Sequence, residues 1–575
     1  MRRFRFSPAL PKTPAFTPGD GLILLGLVTI LYAGTRLAFN APVVIAGPHI
    51  SLSPLALPWY ALFSVGRMMA AYFLSLLFSL FYGYAAARNR TAGTVLMPLL
   101  DVLQSVPILS FLPVVLLSLT TILPEGFAAE LAAIVLIFTS QAWNMTFSFY
   151  QSITTIPNEL REAAAIYRFS FWLRFSTLEL PFAAIGLLWN SMMSWSGGWF
   201  FLMAAEIFHV GARDFRLPGL GSYLQTAANE ANLRAIVMGI ASLVLVIIFL
   251  DQFVWRPLIA WTDKFKVEMA EGGEPPASWF FEMLSRSWLV KQFRARVRRP
   301  FSTWIDGRLR RLSNGKVATP KVVPRSRRPS WTRIVPASIF AVAALYGIYR
   351  TATLLLTLPA VAWGQLGIGL AATLARVTVS LLIAMLWTIP VGVLIGTNRR
   401  WANLLQPVVQ IVAAIPATAL FPVLLLVLLQ TANGLNISAI ALMLMGAQWY
   451  LLFNVIAGAA AIPQDLRHTT DLLRLSSWDR WRTLIMPAVF PYIVTGAITA
   501  SGGAWNASVV AEYVEFGGQT HTTAGVGALI AQATGRGDYA LLLAATLALA
   551  SVVVFINRTF WLRLYRLAEE RYRME

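Results

Sequence analysis

The 575-residue chain is 57% apolar and 13% charged, with a mean hydropathy of +0.65; its charged fraction is about half that of an average soluble sequence. That excludes a string of water-soluble domains and points to a polytopic membrane protein, which removes most enzyme and nucleic-acid readings. The formal charge of +20 would suggest DNA or RNA in a soluble protein, but in a membrane protein it reports basic cytoplasmic loops.

Hydropathy predicts twelve spans, since each crossing needs about 20 mostly apolar residues. The first six lie at 21–39, 64–87, 98–119, 130–150, 182–205 and 235–255, and the second six at 334–358, 372–397, 407–429, 437–461, 488–511 and 540–561. Pro107, Pro113, Pro390, Pro416 and Pro422 fall inside them, as membrane helices tolerate where neighbours satisfy the freed carbonyls. Arg2, Arg3, Arg5 and Lys12 precede the first span, Arg88 and Arg90 follow the second, and Arg161, Arg168 and Arg174 follow the fourth. All lie on one side if both termini are cytoplasmic. The N-terminal arginines read as a topology anchor, because no cleavable leader follows them.

Four segments follow: a tail and first span (1–60), a first repeat (61–258), a basic linker (259–333) and a second repeat (334–575). Residues 256–333 hold 18 Lys/Arg against 6 Asp/Glu. With Trp279, Phe280, Phe281 and Trp288 they read as an amphipathic linker on anionic lipid. No nucleic-acid partner is expected.

The chain is a duplication. Arg67, Asn89, Arg90, Pro98, Pro107 and Pro113 recur 309 residues on as Arg376, Asn398, Arg399, Pro407, Pro416 and Pro422. Pro157, Arg161, Arg168, Pro181, Trp199, Glu206, Gly219, Gly221 and Trp255 recur 306 residues on as Pro463, Arg467, Arg474, Pro487, Trp505, Glu512, Gly525, Gly527 and Trp561. A three-residue deletion, after span three or in span four, reconciles the registers. Both halves start from the same side, so the repeats are parallel, and a path between them is the default expectation.

The loop between spans four and five is long and repeated. It reads IPNELREAAAIYRFSFWLRFSTLELP over 156–181 and IPQDLRHTTDLLRLSSWDRWRTLIMP over 462–487. Pro157 and Pro463 suit helix entries, with Glu159 or Asp465 in the first turn. An interfacial helix on lipid explains the amphipathicity, but not the recurrence of one spacing at one place in both halves.

Glu162-Ala163-Ala164, with Pro181 nineteen residues after the glutamate, resembles the EAA loop of permease subunits of binding-protein-dependent ABC importers. The resemblance implies coupling helices that dock on two cytoplasmic ATPase subunits. Glu162, Ala163, Ala164, Arg168, Trp172, Arg174 and Pro181 would carry the contact in one half, and His468, Arg474, Trp478, Arg480 and Pro487 in the other. The family usually has Gly where Arg168 and Arg474 stand, and His468-Thr469-Thr470 replaces Glu-Ala-Ala. A second patch, Trp199, Ala205-Glu206 and Gly219-Leu220-Gly221, recurs around Trp505, Glu512 and Gly525. It is similar to the fifth-span region of the nitrate/sulfonate/taurine/bicarbonate branch, as is the Pro107 and Pro113 pattern with Gln104 and Ser105. The resemblance covers about 60–260 and 370–565. It implies an all-α, type I importer-like fold of about twelve spans in a bacterial inner membrane, as two fused six-helix repeats. The expected cargo is a small polar or anionic solute.

No G-x-x-x-x-G-K-[ST] loop is present; Gly315-Lys316 leads into Val317. ATP and Mg therefore belong to a partner ATPase, with no cofactor expected on this chain. There are no cysteines and four scattered histidines (His49, His209, His468, His521), so no metal site is expected. Glu206 and Glu512 are placed by symmetry opposite one another across a pore, as a gate or a site for a cation or amine. The other reading, preferred here, makes them structural carboxylates satisfied by backbone N–H groups of the next loop. Trp199 and Trp505 line a cavity or join an interfacial belt; with Gln104 and Ser105 they complete the candidate path. A twelve-span carrier driven by an ion gradient is the alternative, and a non-transporting subunit with the same fold is a third. Whether an extracytoplasmic binding protein delivers the solute is left open.

Overall fold

The computed structural model describes residues 18–39, 47–210, 213–262, 265, 278–287, 331–431, 433–516 and 519–572. The N-terminal arginines and most of the basic linker lie outside the described residues. In the first half α1 (Pro18–Ala38), α2 (Leu57–Arg88), α3 (Arg90–Ser105), α4 (Leu112–Thr120) and α5 (Glu125–Thr154) lead to a loop helix, α6 (Asn158–Ile166). Next come α7 (Phe171–Arg174), α8 (Leu180–Glu206), α9 (Leu220–Asn229), α10 (Leu233–Leu250) and α11 (Arg256–Thr262). A linker helix, α12 (Trp279–Arg286), sets Trp279 and Phe280 edge-on against Phe253, with ring centroids 5.7 and 4.8 Å away. The second half repeats the order: α13 (Trp331–Leu355), α14 (Ala360–Thr397), α15 (Arg399–Ala414), α16 (Ala417–Leu428), α17 (Gly434–Ala460), α18 (Gln464–Leu472), α19 (Ser477–Arg480), α20 (Met486–Ala511), α21 (Val526–Arg536), α22 (Tyr539–Ile556) and α23 (Leu562–Tyr572).

Irregularities repeat as well. Phe175–Glu179 and Trp481–Ile485 are π-helical turns at the entry to α8 and α20. Asp251–Trp255 and Asn557–Trp561 are π-helical turns at the exit from α10 and α22. Each fifth span ends in a hairpin, β1 (His209–Val210) with β2 (Arg213–Asp214), and β3 (Tyr513–Phe516) with β4 (Gln519–Thr522).

Among the described residues eight helices are long and apolar enough to cross a membrane, four in each half. Expected spans one and seven are the helices α1 and α13, which pack against each other; the apolar stretch of α1, Leu25–Ala38, is short for a full crossing. Spans three and nine are not the continuous helices expected. The residue before a proline is pushed out of the helical region, and Ile415, ahead of Pro416, is extended at φ −74°, ψ 119°. The chain therefore bends by 82° between α15 and α16. Pro107 breaks the matching span between α3 and α4 in the same way.

The broken segments hold the halves together. The Leu109 N–H donates to Asn506 Oδ1 at 3.3 Å, while Thr418 Oγ1 donates to the Phe200 carbonyl at 3.3 Å. Leu109 and Thr418 correspond in the 309 register, as do Phe200 and Asn506 in the 306 register. The two bonds are thus one contact related by a twofold relation between the halves. In the last turns of α3, Asp101 pairs with Arg558 of the second half at 2.9 Å.

Candidate functional site

Each half encloses a buried carboxylate at the end of its fifth span. Glu206 and Glu512 have no exposed surface. Ser64 Oγ donates to Glu206 Oε1 at 2.7 Å, Arg67 Nη1 at 2.8 Å, and the Gly221 N–H donates to Oε2 at 2.7 Å. Around Glu512 the donors are Thr373 Oγ1 (2.7 Å), Arg376 Nη1 (2.7 Å) and the Gly527 N–H (2.8 Å). The hydroxyls also accept, Ser64 from Leu220 N–H and Thr373 from Val526 N–H, each at 3.0 Å. Glutamate and hydroxyl thus cap α9 and α21 from outside. A helix N-terminus carries unsatisfied N–H groups and partial positive charge, so a carboxylate is stabilised there.

The arginines diverge on their far edge. Arg67 forms a fork with Glu130, through Nε and Nη2 at 2.6 Å each. Arg376 meets Asn436 Oδ1 instead, at 3.1 and 2.8 Å. Asn436 stands 306 residues after Glu130, so the three-residue shift between repeats falls between Pro113 and Glu130.

At the opposite end of the bundle lie α6 and α18. Arg161 Nη2 donates to the carbonyls of Ile153 and Thr154 at 2.8 and 2.9 Å, and Arg467 Nη2 to that of Ala459 at 2.6 Å. Each arginine caps the last carbonyls of the preceding span and ties the loop helix to it. Arg168 and Arg474 are left-handed, at φ +49° and +47°. Arg168 N–H donates to Ala165 O at 3.0 Å and Phe169 N–H to Ala164 O at 2.9 Å, closing the helix with the geometry that glycine usually supplies. Arg168 and Arg474 thus stand in a backbone shape that glycine adopts at the least cost. A side chain in that region costs roughly 1–2 kcal/mol. Arg168→Gly should therefore slow hydrogen exchange at the Phe169 amide about fivefold, for a gain of about 1 kcal/mol; faster exchange would show that Arg168 is held by more than its backbone.

Between the halves, near the hairpins, is a cavity of about 260 Å³. Arg216, Gln225 and Asn229 line it from one half, Tyr513 and Glu515 from the other, and its remaining walls are apolar side chains such as Leu109 and Phe421. Burial first, and then the Glu515 charge, pushes the Tyr513 phenol up to about 12. It stays protonated and donates to Glu515 Oε1 at 3.1 Å. A larger groove, of about 470 Å³, runs along Leu74, Phe78, Phe81 and Tyr82. It is almost wholly apolar and faces outward from one half, as suits lipid tails.

Comparison with known proteins finds the binding-protein-dependent transport system inner membrane component twice, over 48–254 and 388–573. The chain belongs to that family. Each match includes a loop helix, a fifth span and its terminal carboxylate, so the duplication covers at least these elements. Among its relatives, the nitrate import permease NrtB of Synechocystis sp. is 36% identical over 147 residues, 26% of this chain and 52% of that protein. The bicarbonate transport permease CmpB of Synechococcus elongatus is 34% identical over 146 residues, 25% and 51% of the two chains. The taurine transport permease TauC of Escherichia coli is 27% identical over 195 residues, 34% and 65% of the two chains. The alignments span about half the length of the nitrate and bicarbonate permeases.

Within this permease fold the expected site residues separate. Glu206 and Glu512 do not face one another across a path. Each is closed inside its own half, with backbone N–H groups of the next helix among its donors. Trp199 and Trp505 are 1% exposed and belong to the core, lining neither a cavity nor a belt, because the small residues of the fifth spans let neighbouring helices close over them. Gln104 is exposed and donates to Asp101 at 3.3 Å; the Ser105 side chain lies outside the description. Pro181 and Pro487 occupy the first turns of α8 and α20. In the loops, Glu162, Arg168, His468, Arg474 and Trp478 are exposed, Ala163, Trp172, Arg174 and Arg480 are part-buried, and Ala164 is buried. Arg174 pairs with the buried Glu179 at 2.8 Å. Sequence reasoning gave no role to Ser64, Arg67, Thr373, Arg376 or Glu130; the signal was a repeated arginine inside a span.

Proposed function

We propose that the chain is the membrane-embedded permease of an ATP-driven importer, with both halves of the translocation unit in one polypeptide. Supporting this is one repeated observation. At the end of each loop helix an adjacent apolar pair is bare, Ile166 and Tyr167 at 77% and 76% exposure, Leu472 and Leu473 at 85% and 66%. Apolar side chains at matched positions on two short helices suit two copies of one groove better than lipid, since a groove covers both faces of the pair. The partners are two cytoplasmic ATPase subunits that carry ATP and Mg, and the loops then lie on the cytoplasmic side with both termini. The binding-protein-dependent character of the family supports a substrate-binding protein as a further partner. Relatives named for nitrate, bicarbonate and taurine suggest a small polar or anionic solute.

The test is co-purification of the full chain with its ATPases in mild detergent, read by native mass spectrometry. Two ATPases per chain are expected. Ile166→Glu with Leu472→Glu should remove both while leaving the chain's own elution unchanged. Retention of both ATPases by that variant, or none with the parent chain, would count against the reading and favour a gradient-driven carrier.

A further inference from the structure

The interiors of the two halves differ in polarity at matched positions. Gln141, on α5, has no exposed surface, and neither end of its amide has a hydrogen-bond partner among the described residues. A Cβ on Gly198 of α8 would lie 2.6 Å from Gln141 Nε2 and 3.0 Å from Met68 Cε, so α2, α5 and α8 meet over this glycine. One turn earlier on α8, Ser194 Oγ and Trp195 Nε1 are also buried without a partner among the described residues. Helical residues three and four apart share a face, so both stand on the face that carries Gly198. The usual helical solution, a hydroxyl bonded to a carbonyl one turn back, is taken by Ser75 (to Ala71, 2.8 Å) and Thr146 (to Ala142, 2.6 Å) but not by Ser194.

The second half has neither the amide nor the room for it. In the 306 register Gln141, Ser194 and Gly198 become Ala447, Ala500 and Ala504, each with no exposed surface. Amide and glycine are exchanged together, because an alanine at position 198 would crowd the Gln141 nitrogen. Trp195 alone of the four has a polar counterpart, Ser501.

A carboxamide offers two donors and an acceptor. Bulk water does not reach the interior of a membrane bundle, so leaving such a group bare is costly. The apolar neighbours supply no bonds, and a closed core admits nothing bulky or charged. A buried water needs roughly two to four polar partners, and Gln141, Ser194 and Trp195 offer them. We propose that the first half holds structural water in a cell between α2, α5 and α8, bonded to the Gln141 amide, and that the matching cell of the second half is dry. The spans α5 and α8 are the two that loop 156–181 joins, so one repeated loop is mounted on a wet core and the other on a dry one. This holds whatever solute or partner the chain has.

Synchrotron radiolysis of the full chain in lipid nanodiscs, read by mass spectrometry, tests it. Water itself is the probe, because radicals made from a bound water oxidise the side chain beside it. Met68, at the cell, and Met443, one turn from Ala447 on α17, both have no exposed surface. Met68 should be oxidised about fivefold faster than Met443, or more, in the same sample. Gln141→Ala with Gly198→Ala, which gives the first half the residues of the second, should bring Met68 down to the Met443 rate. Equal rates for Met68 and Met443 in the parent chain would overturn the proposal, and so would unchanged Met68 oxidation in the variant. The comparison within the parent chain needs no substitution, so it decides the matter even where the variant fails to fold.

Discussion

Replacing Arg67 with methionine should destabilise the chain by about 3–5 kcal/mol, the usual cost of leaving a buried charge without its partner. Glu206 has no exposed surface, and Arg67 is the cation paired with both Glu206 and Glu130. Without it two carboxylates face one another with only Ser64 and the Gly221 N–H left to serve the inner one. Thermal unfolding of the detergent-solubilised chain would measure the loss. The two halves should then respond unequally to the milder Glu→Gln change. In Glu206→Gln the arginine keeps Glu130, whereas in Glu512→Gln Arg376 keeps only the neutral Asn436, Thr523 and a carbonyl. Glu512→Gln should cost more. Equal losses would mean that the outer partner contributes nothing to either cluster.

Gly219→Ala and Gly525→Ala should each cost about 1–3 kcal/mol through overpacking. Both glycines are extended, at φ −179°, a conformation any residue adopts, so the requirement is space. A Cβ on Gly219 would strike the Glu206 carboxylate, and one on Gly525 the Glu512 carboxylate. Either the glutamate moves, and releases its helix cap and its arginine, or the loop does. Gly66, beside Arg67 on α2, is the control, because a Cβ there meets nothing within 4 Å. Stability curves that place all three alanine variants together would remove the glycines from the argument.

Much of this architecture is legible in the chain itself, and the remainder fails for identifiable reasons. The two registers located the duplication, because matched Pro, Arg, Gly and Trp positions need no structure to be compared. Hydropathy gave twelve spans, of which eight are helices long and apolar enough to cross a membrane among the described residues, and it missed the breaks at Pro107 and Pro416, since composition reports how apolar a segment is and nothing of its direction. Backbone donors to Glu206 and Glu512 were the preferred of two readings, though placed in the following loop and not, as found, at Gly221 and Gly527 in the first turns of the next helices. Their arginines were not foreseen, because Arg67 and Glu206 are 139 residues apart and no local pattern joins them. Trp199 and Trp505 were misplaced because an indole in a span suits a belt, a path or a core equally, and only packing decides. Arg168 was visible as a departure from glycine, but its left-handed backbone explains the departure as tolerance of one conformation by two residue types.

The mirrored bonds from Leu109 to Asn506 and from Thr418 to Phe200 have a consequence for assembly. In a permease built from separate chains such contacts form only when two molecules meet, and dilution pulls them apart. Here the linker makes the encounter intramolecular, so its equilibrium is set by tether length and is independent of how much protein the cell makes. The same tether disfavours mispairing: a first half meets its own second half at a higher effective concentration than it meets another chain's first half. Each side is then free to drift under one constraint, fitting the partner it is born with, and self-complementarity is no longer selected. Glu130 against Asn436 is one such drift.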